Sequence, residues 1–451
     1  MVTRGAGMVL LLICWLGLLA SAAFAGELRA EDMLSAYVNA PDKAYHWERG
    51  PGPLRGRPTK GDVTTSDIIL TSQRWKGTDW QHMLRVFVPK TSTHPGWMGL
   101  YVTGEGNPVV PGKPGGEDDM AVAMATMMQA PVAMLYQVPN QPLFSGLDEG
   151  AIIDYSFAQY VKTGDPTWPA LFPMTKSAVR AMDALQEFMP RDLHMRITKF
   201  VVMGGSKRGW VTWLTAAADH TGRVKAIIPI VFDVLNIKAQ VAQAEHLLGK
   251  GAGAIVAMTG ALGTPRGDAL WTAVDPYTYR RQLTLPKLIM NATDDLFYNT
   301  DGLNYYWDGL SGGKWVYYAP NSPHGMSVGR ERTVTTMSAF FRTVAEGKKM
   351  PAISWRRDSD GRSATIGITA PEAKAANVWV ATSDTLDFRL AKWAPQPMAN
   401  IPGAAGAPKA GVWVITVPRP ADRDMTLFGE AEFQVQGLPC YLCTQPMIVE
   451  K

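Results

Sequence analysis

The 451-residue chain is short of the features that mark several large protein classes. Charged residues make up only 19% of it, and 44 Lys+Arg against 40 Asp+Glu leave a formal charge of +4. Losing Arg4 with the leader described below would reduce that charge to +3. No surplus of one sign is available to drive binding to nucleic acid or to an anionic membrane, and neither partner is expected. Cysteine is scarce, with three residues, and histidine numbers seven. No second Cys pair or paired His accompanies Cys440 and Cys443, so a four-ligand zinc site lacks ligands and no metal is expected. No repeat of fixed period occurs. A hydrophobic fraction of 46% excludes a mainly disordered chain and supports a sizeable core.

The one long apolar run lies at the start. Residues 1–25 carry a single charge at Arg4, an apolar stretch from Met8 to Ala20, and then Ala23-Phe24-Ala25. This is the pattern of a secretory signal peptide, with cleavage expected after Ala25 and a secreted or periplasmic destination. The run falls short of the ~20 residues that span a bilayer, and Ile13 stands before Cys14 where a lipoprotein signal needs a small residue. No stable membrane anchor is expected after cleavage. In an oxidising compartment Cys440 and Cys443 read as a local disulfide or as free thiols, because no helical period follows to activate a redox pair.

From residue 26 to about 350, short apolar runs alternate with helical patterns. Strands are expected at Met83–Val88, Trp97–Val102, Val132–Tyr136, Thr198–Met203, Ala226–Val231, Leu288–Asn291 and Trp315–Tyr318. Helices are expected at Met120–Met128, Ala151–Val161, Met174–Phe188, Gly209–Ala218, Val234–Leu248 and Thr333–Ala345. Apolar strands separated by helices predict an α/β fold, a mostly parallel sheet covered on both faces. Beyond a boundary near Met350, Ser354-Trp355, Ser363–Ile368, Val378–Ala381 and Val412–Val417 are short β runs split by turns. Residues 351–451 are therefore expected to form a small sandwich-like β domain, with a packing role preferred to a carbohydrate-facing one.

The most informative segment is Met203-Gly204-Gly205-Ser206-Lys207-Arg208-Gly209-Trp210. A β run ends, small residues follow, and a helix begins just after the serine, as in a nucleophile elbow. A serine on a strained turn needs neighbours without bulk, which Gly204 and Gly209 provide. The N–H of Lys207 is the first candidate to hold an oxyanion, and the loop containing Gly104 is the place for a second donor. Arg208 stands where the usual motif has its second glycine. A plain helix cap is the simpler reading of the same residues, and a phosphate loop is disfavoured because the order Gly-x-x-x-x-Gly-Lys-Ser/Thr is absent. Lys207 and Arg208 could favour a negatively charged substrate; a salt-bridged pair fits them equally well.

A serine hydroxyl needs a base, and hydrolases of this fold class carry Ser, then Asp/Glu, then His in chain order. Three histidines follow Ser206: His220, His246 and His324. His324 lies in a turn-rich loop after the strand at Trp315–Tyr318 and is the expected base. The strand at Leu288–Asn291 runs into Asp294-Asp295, and Asp295 is the expected orienting acid. Asp294 beside it and Asp233, after an earlier strand, are the alternative acids.

These residues carry a family resemblance. Thr71–Trp75, Tyr136–Leu143, Pro173–Ala178, Gly205–Trp210, Asp233–Asn236, Asn291–Phe297 and Pro320-Asn321 with His324-Gly325 match in order, and the match reaches the β-rich tail. The chain resembles the PhoPQ-activated pathogenicity-related proteins, an α/β-hydrolase-like group that includes secreted bacterial and amoebal members. The family pattern at the acid reads Gly-Asp-Glu-Phe-Phe, which places Asp295 under the family aspartate and Leu296 where a second acidic residue usually stands. The resemblance implies a serine-hydrolase scaffold without a settled substrate. The expected function is a serine hydrolase, esterase or peptidase in type, cleaving a small-molecule or peptide ester or amide through an acyl-enzyme, with no cofactor. The alternative is a non-catalytic binding or signalling protein linked to envelope stress or virulence.

Overall fold

The structure is a computed structural model that describes residues 28–451 apart from 52–56, 59–61, 113–114, 252–258 and 402–410. The expected leader, residues 1–25, lies outside the described residues. No helix among the described residues is long and apolar enough to cross a membrane.

The first ten strands are β1 (His46–Arg49), β2 (Arg57–Pro58), β3 (Val63–Trp75), β4 (Thr78–Pro89), β5 (Trp97–Val102), β6 (Val132–Leu135), β7 (Lys199–Gly205), β8 (Val224–Ile230), β9 (Lys287–Asp294) and β10 (Lys314–Pro323). They form one ten-stranded sheet in the order β1-β3-β4-β6-β5-β7-β8-β9-β10, with β2 pairing to β3. From β6 to β10 every pair is parallel, whereas β4 meets β6 antiparallel. The central strands β5, β6 and β8 are apolar and buried because helices cover both faces, so they show no alternation. The covering helices are α1 (Ala30–Asn39), α2 (Asp118–Met128), α3 (Glu149–Thr163), α4 (Leu171–Asp192), α5 (Lys207–Ala218), α6 (Ile237–Leu248), α7 (Pro265–Val274) and α8 (Arg330–Ala345). This is the expected α/β fold. Two helices, α1 and α7, and the length of the β3–β4 hairpin were not anticipated from the sequence.

Beyond the sheet, β11 (Ser354–Ser359), β12 (Ser363–Thr369), β13 (Ala375–Ser383), β14 (Ala394–Pro397), β15 (Ala399–Ile401), β16 (Val412–Pro418), β17 (Asp424–Val435), β18 (Leu438–Cys443) and β19 (Met447–Val449) build two antiparallel sheets. The alternating burial of β12 and β13 is what a strand with one covered face shows. Cys440 and Cys443 are free thiols buried on β18, the second of the two readings the sequence left open rather than the bridge. Three residues apart on one strand, they project to opposite faces. Burial pushes the Cys440 thiol up to about 12, and Cys443 Sγ accepts the Tyr318 N–H at 3.4 Å.

At the end of β7 the chain turns sharply. Ser206 has φ 59° and ψ −126°, its N–H donates to the Ile230 carbonyl at 2.9 Å, and α5 starts at the next residue. Only a glycine fits on either side of that turn. A Cβ on Gly204 would sit 2.7 Å from the Arg208 carbonyl oxygen, and one on Gly209 would sit 2.7 Å from the Ile230 carbonyl oxygen and 2.9 Å from Phe232 Cβ. Helix propensity alone would make Gly209→Ala stabilising by about 1 kcal/mol. The contacts with backbone that cannot move aside predict the opposite sign, a loss of about 1–3 kcal/mol in urea denaturation. A variant with an unchanged or higher midpoint would contradict this packing.

Candidate active site

Five loops at the C-terminal rim of the parallel strands carry the candidate residues: Gly104 after β5, Ser206 after β7, Asp233 after β8, Asp295 after β9 and His324 after β10. Parallel neighbours end on the same edge, so the register alone gathers them. Val102 pairs with Gly204, Gly205 with Ile230 and Ile230 with Met290.

His324 Nδ1–H donates to Asp295 Oδ2 at 2.6 Å. The other carboxylate oxygen of Asp295 accepts the Phe297 N–H at 2.9 Å, which fixes the plane of the acid. With its proton committed to Nδ1, the ring keeps the Nε2 lone pair free to act as a base. Ser206 and His324 line one cavity of about 310 Å³. The Tyr298 ring lies 5.9 Å from the His324 ring, centroid to centroid, in a tilted arrangement. Burial, with the charges of Asp295 and Asp233, raises the Tyr298 hydroxyl far above its ordinary value and keeps it protonated. The sequence reading missed Tyr298 as a neighbour of His324; its place three residues after Asp295 was the available signal.

The alternative acids are engaged elsewhere. Asp294 Oδ1 accepts the Thr293 hydroxyl at 2.8 Å, and that hydroxyl in turn accepts the Asn321 N–H at 2.8 Å. Asp233 accepts the Tyr306 hydroxyl and also lies against Asn291. Burial raises the Asp233 carboxyl to about 7, and nearby Asp295 and Asp301 push the same way while Tyr306 and Asn291 resist.

Lys207 and Arg208 meet their charge inside the protein. Arg208 makes two hydrogen bonds to Glu149, at 2.7 and 2.9 Å, and a third to the Val138 carbonyl, while Lys207 Nζ lies 3.1 Å from the same carboxylate. Burial alone would raise the Glu149 carboxyl, but the hydrogen bonds and charge of Arg208, together with Gln141 and Lys207, hold it down at about 2. The salt-bridged alternative is therefore the arrangement found. Gly104 makes room for it, since a Cβ there would lie 2.7 Å from Arg208 Nη2. Lys207 opens α5, so its N–H has no carbonyl one turn earlier to bind. That donor stands beside Ser206 at the helix's positive end.

A family model described as PhoPQ-activated pathogenicity-related protein matches residues 34–389. The chain belongs to the PhoPQ-activated pathogenicity-related protein family. Among characterised relatives it is similar to autocrine proliferation repressor protein A of Dictyostelium discoideum, with 29% identity over 442 residues, covering 89% of this chain and 85% of that protein. Among solved structures it is similar to an acetyl xylan esterase from Paenibacillus sp. R4, with 15% identity and a TM-score of 0.43 over 65% of this chain and 87% of that one. A glucuronoyl esterase from Solibacter usitatus shows 13% identity and a TM-score of 0.42 over 70% and 91%. Likenesses this distant bear on neither the activity nor the substrate of this family member.

The raised Asp233 carboxyl gives a prediction for stability against pH. A carboxyl with a folded-state value near 7 holds its proton where the unfolded chain has released it, so stability declines as pH rises from about 4 to 7. Asp233→Asn removes that contribution while keeping an acceptor for Tyr306. Its melting temperature relative to wild type should climb steadily across this range in a calorimetric series. Parallel curves for the two proteins would show that Asp233 is ionised throughout.

Proposed function

We propose that the protein is an exported serine hydrolase that cleaves an ester or amide through an acyl-enzyme, with Ser206 as nucleophile, His324 as general base and acid, and Asp295 as orienter. The observation that carries this reading is the 2.6 Å hydrogen bond from His324 to Asp295, made at the cavity into which the strained Ser206 turn opens.

In this reading His324 Nε2 takes the Ser206 proton as Oγ attacks the substrate carbonyl carbon. Asp295 stabilises the imidazolium that results. The charge that moves onto the carbonyl oxygen falls to the Lys207 N–H and to a donor of the Gly104 loop, both fixed before substrate arrives. His324 then returns the proton to the departing alcohol or amine. Water, activated by the same nitrogen, attacks the acyl-enzyme and Ser206 Oγ recovers its proton. One side of the cavity, Val102, Ile230, Met326, Val334 and Met337, is apolar and suits the acyl chain, while Glu117, Asp119 and Arg330 make the rest polar.

A second reading, a hydrolase-like protein that binds rather than cleaves, draws on the relative whose name records repression of proliferation. Reaction with a fluorophosphonate separates the two. The folded protein should be labelled at Ser206, and both Ser206→Ala and His324→Ala should lower ester turnover by about 10⁴-fold or more. Absence of labelling while a control hydrolase reacts, together with a Ser206→Ala protein that keeps its full biological effect, would favour the binding reading.

A further inference from the structure

Apolar side chains crowd the outer side of His324, away from the acyl cavity. Phe297 is 50% exposed and Leu296 53% exposed, although both directly follow the buried Asp295. The Phe297 ring centroid lies 4.6 Å from that of His324, in a tilted contact. Leu390, 82% exposed, projects from the loop between β13 and β14. That loop is tied to the acid loop, because Arg389 donates from Nη1 to the Leu296 carbonyl at 2.8 Å. Arg389 itself is held by Asp387 through Nε and Nη2 at 2.8 and 2.7 Å, so the tether is braced. Val328, four residues past His324, is 47% exposed. Single exposed apolar residues are ordinary on a protein surface, but here Leu296 and the Phe297 that contacts His324 share one loop, and Arg389 ties that loop to the one carrying Leu390.

The occupant of this patch follows from proton transfer. His324 delivers its proton to the departing group, so that group must lie within hydrogen-bonding reach of the imidazole. The acyl chain fills the cavity lined by Val102 and Met337, and the departing group is left with the opposite side, over Phe297. We propose that Phe297, Leu296 and Leu390 form a leaving-group subsite selecting esters of bulky apolar alcohols, aryl-alkyl ones above all. The proposal rests on the serine-hydrolase reading and names the substrate class for it. A ring or alkyl chain laid on Phe297 loses its water there and shields the imidazole from solvent. A small alcohol leaves the patch wet and gains nothing from it.

The test compares 2-phenylethyl acetate with ethyl acetate, whose acyl groups are identical and whose alcohols are similarly poor leaving groups. In wild type, kcat/KM for the phenylethyl ester should exceed that for the ethyl ester by about tenfold or more, the range that such apolar contacts give. Phe297→Ala should reduce this ratio about fivefold or more, whatever loss is common to both esters. Leu390→Asp, at a highly exposed position, should lower it in the same direction and keeps the test intact if Phe297→Ala folds poorly. Equal kcat/KM for the two esters in wild type, or a ratio unmoved in both variants, would overturn the subsite while fluorophosphonate labelling of Ser206 still stood. Failure of wild type to take up fluorophosphonate or to cleave either ester would remove the hydrolase reading and the subsite with it.

Discussion

The hydrogen bond between His324 Nδ1 and Asp295 Oδ2 is the contact on which the rest of the site depends. It decides which ring nitrogen carries the proton and so, in the proposed mechanism, whether His324 has a lone pair to offer Ser206. Both partners stand on loops that close neighbouring parallel strands, and loops of that kind drift unless something holds them. The C-terminal sheets supply the hold. Asn321, at the end of β10 three residues before His324, donates to the Trp393 carbonyl at 2.9 Å and accepts the Trp393 N–H at 2.8 Å. Arg389 meets the acid loop at Leu296, and Cys443 accepts the N–H of Tyr318 on β10. The β-rich tail thus clamps both halves of the pair through backbone groups, which fits a packing role.

Two buried aspartates lie close together at this rim and differ in what surrounds them. Asp295 has a histidine and a backbone N–H as partners. Asp233 has the Tyr306 phenol as partner and the carboxylates of Asp295 and Asp301 nearby, so burial drives it toward the neutral form. Two like charges in one apolar region are costly, and a neutral Asp233 relieves the second. Burial and the same two carboxylates, Asp295 and Asp233, likewise keep the Tyr298 hydroxyl protonated.

Much of this arrangement was legible in the residues. The apolar strands β5, β7, β8 and β9 announced a parallel sheet because both faces are covered, and chain order then placed a serine, an acid and a histidine at one rim. Gly204 and Gly209 marked the sharp turn because no side chain can occupy either place. Other features depend on partners distant in sequence. Glu149, which neutralises Lys207 and Arg208, lies 59 positions from Arg208 and opens a helix of its own. The Asn321–Trp393 clamp joins residues 72 positions apart. The β3–β4 hairpin escaped notice because Val63–Trp75 mixes polar and apolar residues without a clean alternation, and a bulge near Thr71 shifts its register. The Cys440–Cys443 spacing invited a bridge that strand geometry disallows.

The most direct measurement is proton NMR of the His324 ring N–H, recorded beside fluorophosphonate labelling in wild type, Asp295→Asn and Asp233→Asn. A short hydrogen bond to a carboxylate moves such a proton far downfield. Wild type and Asp233→Asn should both show this resonance and label at Ser206. Asp295→Asn should lose the resonance and label slower by about 10³-fold or more, because the wrong tautomer faces the serine. A downfield proton and full labelling that survive in Asp295→Asn but vanish in Asp233→Asn would contradict the central claim and transfer the orienting role to Asp233.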